Sequence, residues 1–307
     1  MKYKIAFVIP VFNRLEHNKE CLKILEEQKD TKFFTRNEII IIFVDDGSTD
    51  GTEAWIRENY PEVVVLRGDG NLWYSGSLNF GMRHAMDELK CDFIQIWEND
   101  IIPGEGYFDH MQDILEQWDG RSLIASKLYY QVQPDVIFSM GGVFNPRNGH
   151  KALIGRNQKD RAEYEQEREV DWFSGQQGLI HREIIEKVGY LDDKNFPQYH
   201  ADVDYSLRVK SAGFRNMIYP KLKLYNDSEA TGINQQKNKT FRQFFETLHS
   251  IRSNNNIRKD IIFYKKHGAG LLSYRGMIRK YYIYAGSFFK WKFLGWLGIK
   301  KKDDGLL

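Results

Sequence analysis

Cysteine is scarce in this chain, with only Cys21 and Cys91 among 307 residues. The two lie far apart and without metal-ligand spacing. They read as reduced core thiols of a cytosolic protein rather than a disulfide framework. Long apolar runs are also missing. No stretch reaches the roughly eighteen uninterrupted apolar residues that a transmembrane helix needs. The nearest approach, 281–299, is broken by Lys290 and Lys292. The N-terminal run MKYKIAFVIPVF is too short for a signal-peptide core and no small-residue cleavage site follows, so no leader is expected. Neither sign of charge dominates: 44 basic residues face 42 acidic ones, for a net +2, which excludes a polyanion binder built from the whole chain. Internal repeats and low-complexity tracts are absent. The length suits one large α/β domain with extensions, or two small domains.

What is present is a regular alternation. IAFVIPVF (5–12), EIIIIFV (38–44), VVVLRG (63–68) and FIQIW (93–97) are β-branched and aromatic runs of strand type. Helical spacing occupies 15–29, 49–59 and the region from Met82 to Leu89, and GDGNLWYSGSLNFG reads as a glycine-rich connection into the last of these. Strands and helices alternating at this interval predict βαβ units and a mostly parallel sheet. The second half is less regular. LIASKLYY and VIFSMGGVF read as strands, residues 145–170 as a charged mobile loop or lid, and 173–193 as a turn, a short strand and a helix from about Arg182. HADVDYSLRVKSA (200–212) opens with acids and continues as a helix, and the tail from Thr240 is helical, basic and aromatic.

In open α/β sheets ligands bind beyond the carboxyl ends of the strands. Asn13, Asp45, Asp46, Asn71 and the Glu98–Asp100 pair all fall there. Each alone is explained by turn chemistry; Asp45-Asp46-Gly47, for example, is an ordinary turn and helix cap. Two ionised carboxylates at the mouth of a buried strand are different. They repel each other and gain nothing from burial, unless a cation holds both.

PVFN (10–13), DDGSTDGT (45–52), the acidic triplet at 98–100, SGQQGLIHR (174–182) and ADVDYSLRVKSAGF (201–214) fall in the order and spacing of a known family. Over residues 3–232 the chain resembles the inverting family-2 glycosyltransferases of the GT-A fold, most of all the bacterial enzymes of surface-polysaccharide synthesis, including rhamnosyltransferase-like members. The resemblance implies a single mostly parallel mixed sheet flanked by helices, of the nucleotide-diphospho-sugar transferase type. It divides the chain into a catalytic domain over 1–232 and a helical, basic-aromatic extension over 233–307. Within the catalytic domain, 1–103 is the nucleotide-binding half and 104–232 the acceptor and base half.

The same resemblance implies residue roles. Pro10, Phe12, Asn13, Asp45 or Asp46, Gly47, Asn71, Ser75, Asn79 and Asn99 would contact the nucleotide-sugar donor. Glu98 and Asp100 match the family's Asp-x-Asp metal motif with Glu at its first position, and Asn226 stands near where many members place a metal-binding His. Asp202 matches the catalytic base, with Asp204 and His200 beside it and Ala201 where a Glu is usual. Trp172, Ser174 and Gly175 would face the acceptor. Mn²⁺ or Mg²⁺ is the implied cofactor, since such hard cations need only one or two carboxylates plus phosphates and water. The implied donor is UDP- or dTDP-linked, and the implied acceptor is a saccharide or polyprenyl-linked saccharide.

Structural alternatives accompany these roles. Asp202 also suits a helix first turn, where the dipole favours acids. His84, His181 and His249 suit surface or structural positions. In the tail, aromatics interleave with Arg275, Arg279, Lys280, Lys290, Lys292 and Lys300 to Lys302, which suits peripheral contact with the inner face of the plasma membrane or a packed helix with a solvated basic side. No nucleic-acid-binding motif accompanies it. Two other functions remain in view. A nucleotidyl or phosphoryl transferase would want a glycine-rich loop with a Lys after the first strand, which PVFNRLEHN lacks. A non-catalytic nucleotide-sugar-binding partner of a polysaccharide assembly complex is compatible with Ala201 and Asn226.

Overall fold

A computed structural model describes residues 2–226 and 240–297. Asp227, weighed with Asn226 as a metal ligand, the expected domain boundary at 232 and Lys300 to Lys302 lie outside the described residues. The chain divides into two compact units: residues 1–144 with 151–231, and residues 145–150 with 232–307.

The first unit opens with β1 (Lys4–Val11), α1 (Leu15–Glu26), α2 (Lys32–Arg36), β2 (Glu38–Asp45), α3 (Thr52–Asn59), β3 (Val64–Arg67), α4 (Trp73–Arg83) and β4 (Phe93–Trp97). Then come β5 (Ile101–Pro103), α5 (Tyr107–Glu116), β6 (Ser122–Tyr130), β7 (Gln133–Ser139), β8 (Gly142–Asn145), β9 (His150–Leu153), β10 (Gln158–Lys159) and β11 (Arg168–Val170). β12 (Gln177–His181), α6 (Arg182–Val188), α7 (Ala201–Ser211) and β13 (Arg215–Asn226) close the series. The main sheet runs β10-β7-β6-β12-β4-β1-β2-β3. β1 pairs in parallel with β2 and β4, and β2 with β3, whereas β12 joins β4 antiparallel. β1 is apolar on both faces because helices cover both, as a central parallel strand requires. Phe7 anchors one face, within 6.3 Å ring-to-ring of Phe33, Phe34, Trp97 and Phe108.

Two expectations are corrected and one strand is added. The helix expected from Met82 begins nine residues earlier, at Trp73. Its glycine is not a loop signal: a Cβ on Gly81 would stand 2.4 Å from Val8 Cγ1 and 2.9 Å from Val44 Cγ2, so the missing side chain lets α4 lie on β1 and β2. Residues 145–170 are not a structureless loop, since β9, β10, a 3₁₀ turn and β11 occupy them. The buried Lys127 organises this segment, its Nζ meeting Asp160 Oδ1 at 2.5 Å, Tyr164 O at 3.0 Å and Glu165 Oε1 at 3.1 Å. Finally, RNMIYPKLKLYN forms the 12-residue β13, which the sequence reading did not assign to a strand. β13 pairs with β6 in parallel and with β5 and β11 antiparallel. A register shift between Tyr219 and Lys223 accommodates Pro220.

In the second unit, α8 (Phe241–His249) is capped by the reciprocal Thr240–Gln243 box. α9 (Ile257–His267) and the 23-residue α10 (Tyr274–Trp296) follow. Among the described residues no helix is long and apolar enough to cross a membrane.

Candidate active site

The ends of β1, β2, β4 and β13 and the start of α7 carry the polar residues of interest, all within the first unit. Past β1, Asn13 and Arg14 both adopt left-handed backbone, at φ 59° and 63°. Such positions cost about a kilocalorie each and persist only where neighbours fix them. Here Asn13 N donates to Ser48 Oγ at 2.6 Å, its Oδ1 accepts from Thr49 N at 3.0 Å, and its carbonyl accepts from Asn18 Nδ2 at 3.1 Å. The turn aims Arg14 Nη1 at Asp100 Oδ2, 3.1 Å away. Pro10 is half-buried within β1, and Phe12 is exposed beside the turn.

Past β2 the two aspartates separate. Asp46 is saturated by backbone: its carboxylate accepts from Gly70 N at 2.9 Å, Leu72 N at 3.2 Å and Trp73 N at 3.0 Å. It shapes the entry to α4 rather than standing ready for a donor. Asp45 spends Oδ1 on Ser48 N at 2.7 Å, across the Gly47 turn. Ser75 and Asn79 are also corrected. Ser75 Oγ donates to Phe196 O at 2.6 Å, and Asn79 exchanges bonds with Leu191 N and O, each at 2.9 Å. Both are buried and pin residues 191–196 to α4. Asn71 is exposed, and Asn99 Nδ2 donates to Asn18 Oδ1 at 2.6 Å.

Past β4 lies an acidic cluster. Burial, and then the charge of Asp100, push the Glu98 carboxyl well above its ordinary value, while hydrogen bonding from Gln176 pulls it back. Gln176 Oε1 also accepts from Asn226 Nδ2 at 3.1 Å. Asp100 Oδ1 and Asn226 Oδ1 are buried and have no hydrogen-bond partner. Two buried acceptors left bare beside a second carboxylate form a donor set that suits a hard cation. No three His, Cys, Asp or Glu side chains converge among the described residues, so any such site rests on two carboxylates and amide oxygens.

Asp202 stands in the first turn of α7. Burial pushes its carboxyl above the ordinary value, against the opposing pull of the Val203 amide, the Lys151 charge and the Gly175 amide. Val203 N lies 2.8 Å from Oδ1 and Gly175 N 3.1 Å from Oδ2. Tyr74 donates its hydroxyl to the Gly175 carbonyl. Burial raises the Tyr74 phenol, and Glu98 and Asp202 both add to the rise, which places it within the field of both acidic groups. A Cβ on Gly175 would meet the Tyr74 hydroxyl at 2.7 Å and Asp202 Cβ at 3.1 Å. His200 caps α7 at φ 73°, its Nδ1 3.1 Å from Lys151 Nζ.

Asp204 turns the other way. It is wholly buried and meets Arg208 Nε at 2.9 Å, while Arg208 reaches the carbonyls of Val188 and Tyr190. This ion pair fastens α7, so Asp204, expected in the catalytic set beside Asp202, is corrected to a structural role. Trp172 is buried too, its indole packed where a Gly142 Cβ would be and donating to Val143 O at 3.3 Å. Ser174 Oγ lies 3.5 Å from Gln176 Oε1. Sequence reading missed Arg14, Tyr74, Lys151 and Gln176. Arg14 adjoins the PVFN motif and Gln176 lies within SGQQGLIHR, whereas Tyr74 and Lys151 lie in segments read as loops.

Residues 6–189 match the family model described as glycosyl transferase family 2. An N-acetylglucosaminyl-diphospho-decaprenol L-rhamnosyltransferase of Mycobacterium tuberculosis is 26% identical over 220 residues, covering 64% of this chain and 70% of its own. A mannosyltransferase from Pyrobaculum calidifontis, solved with GDP-Man and Mn²⁺, superposes with TM-score 0.54 at 13% identity, over 91% of this chain and 69% of the other. Residues 1–349 of TarS from S. aureus, solved with UDP, give TM-score 0.53 at 13% identity over 74% and 60%.

Proposed function

The chain belongs to glycosyl transferase family 2 and has the GT-A fold, and on that premise we propose that it is an inverting glycosyltransferase of cell-surface polysaccharide synthesis. It moves a sugar from a UDP- or dTDP-linked donor to a hydroxyl of a saccharide or lipid-linked saccharide. The name of the mycobacterial relative, whose acceptor is a diphospho-decaprenol saccharide, supports a lipid-linked acceptor. The observation that carries the reading is Asp202: a carboxylate with a raised affinity for protons, held by two backbone amides at the start of α7.

Asp202 accepts the proton of the acceptor hydroxyl as that oxygen attacks the anomeric carbon from the face opposite the leaving group. The bond from sugar to diphosphate breaks, and a nucleoside diphosphate departs. Lys151 stands near the base and offsets part of the cost of ionising it. Asp100, Glu98 and Asn226 would hold Mn²⁺ or Mg²⁺. Such a cation supplies positive charge to a departing diphosphate. Arg14 keeps Asp100 oriented. Asp45 and the Asn13 turn line the nucleoside side.

One observation favours a metal-free variant of this reading: Arg14 already neutralises Asp100 at 3.1 Å. Thermal unfolding against UDP-, dTDP- and GDP-sugars, with Mn²⁺ or with a chelator, separates the two. A ligand at about a hundred times its Kd adds about 2.7 kcal/mol to the native state. Stabilisation by one nucleotide only with Mn²⁺, lost in Asp100→Ala, is the expected result. Stabilisation unaffected by the chelator selects the Arg14 variant. No stabilisation by any nucleotide sinks both.

A further inference from the structure

Seventeen large hydrophobic side chains are exposed among the described residues, and thirteen of them lie between Phe241 and Leu297. They are not scattered. On α10, Ile278, Tyr282, Phe289, Phe293 and Trp296 recur at steps of three, four and seven, which puts them on one stripe. Tyr282 is 80% exposed and Trp296 79%.

The opposite side of α10 is already used. Tyr284 stacks on Phe244 at 5.1 Å and donates to Thr247 Oγ1 at 2.8 Å, and Phe288 meets Phe244 at 4.4 Å. The helix therefore has one packed face and one apolar face turned to solvent. The solvent-facing patch continues onto α8 through the exposed Phe241, whose ring lies 6.4 Å from that of Phe289.

Charge decides what fits this patch. The sequence of α10 contains Arg275, Arg279, Lys280, Lys290 and Lys292 and no acid. Lys280 is tied to Asp260 at 2.7 Å, and the other four are exposed. Arg279 and Lys290 border the stripe on one side and Lys292 on the other, with Arg275 in line with it, by the helical period. A second copy of the chain would bring like charges together along the whole seam, so the stripe is ill suited to self-pairing. An anionic bilayer surface satisfies both features at once. Aromatic and aliphatic groups enter the headgroup boundary while the flanking cations meet lipid phosphates.

We propose that the exposed stripe of α10, with Phe241 of α8, is a docking face for an anionic membrane surface, lying in the interface plane without crossing. The proposal rests on the glycosyltransferase reading only in that a lipid-linked acceptor gives the docking a purpose. Its test needs no turnover.

The full chain is mixed with phosphatidylcholine vesicles, with or without phosphatidylglycerol, and the bound fraction is measured by co-sedimentation. Binding is expected only with the anionic lipid. Ile278→Glu with Phe289→Glu should abolish it. Arg279→Gln with Lys290→Gln should weaken it roughly thirtyfold, since each cation near an anionic leaflet contributes about fivefold. All these side chains are exposed, so folding is checked simply by circular dichroism. Failure of the wild type to sediment with anionic vesicles overturns the proposal. So does binding that the apolar substitutions leave unchanged, or a dimer in sedimentation velocity that Ile278→Glu dissolves. Nucleotide-dependent stabilisation, measured on the same preparations, reports on the catalytic reading separately.

Discussion

Asp202 is the residue on which the proposed chemistry turns, and its surroundings make a directional forecast. A raised carboxyl must lose its proton before it can act as a base. The acid limb of kcat/KM should therefore lie above the ordinary aspartate value of about 3.9, with activity rising as pH climbs through it. Asp202→Asn should lower turnover by roughly 10²- to 10⁴-fold and remove that limb, while leaving nucleotide-dependent stabilisation intact. A pH–rate profile of both proteins checks this. An Asn variant with wild-type turnover would exclude Asp202 as the base. Asp204, two residues on, should behave differently. Its loss should appear in unfolding rather than in the pH profile, because it faces Arg208.

At the scale of elements, magnitudes decide two substitutions. Gly81→Ala should gain up to about 1 kcal/mol of helix propensity. The new Cβ, however, meets Val8 and Val44, short β-branched side chains of central strands that have little room to move. Overpacking costs of about 1–3 kcal/mol should win, and urea unfolding should show net destabilisation. Lys127→Met removes the cation that gathers Asp160, Tyr164 and Glu165. The expected loss is about 2 kcal/mol, below that of a wholly buried pair, because both carboxylates reach solvent. Amide exchange over 155–166 should accelerate.

These elements also show where sequence sufficed. β4 at 93–97 and α6 from Arg182 emerge from apolar runs and from local start signals. α4 did not, because its Ser-Gly-Ser-Leu-Asn run has loop composition and is helical through packing against strands that lie far away in sequence. Residues 145–170 have no periodicity to read, and those from Asp160 to Glu165 gather round one lysine from β6. The same divide runs through the site. Asp45, Glu98, Asp100 and Asp202 follow strand and helix ends and were legible. Ser75, Asn79 and Asp46 carry the right chemistry but are consumed by partners that only the fold brings near. Tyr74 and Lys151 are recruited from a distance.

At the scale of the molecule, the exposed apolar surface belongs mostly to the second unit, and the polar cluster with raised carboxyls to the first. The proposed bilayer docking and the proposed sugar transfer should therefore be separable by mutation. The register shift in β13 has a consequence of another kind. Beyond it, alternate residues take opposite faces, so Asn226 reaches Gln176 only because the shift between Tyr219 and Lys223 sets the parity of the strand's end. Deleting Lys221 should keep the sheet, as seen by circular dichroism, yet turn the final residues over and abolish nucleotide-dependent stabilisation. Insertions and deletions in that short irregularity would then act as a coarse gear: chain length there, rather than side-chain identity, selects which residue is presented beside Gln176, and a single step changes it.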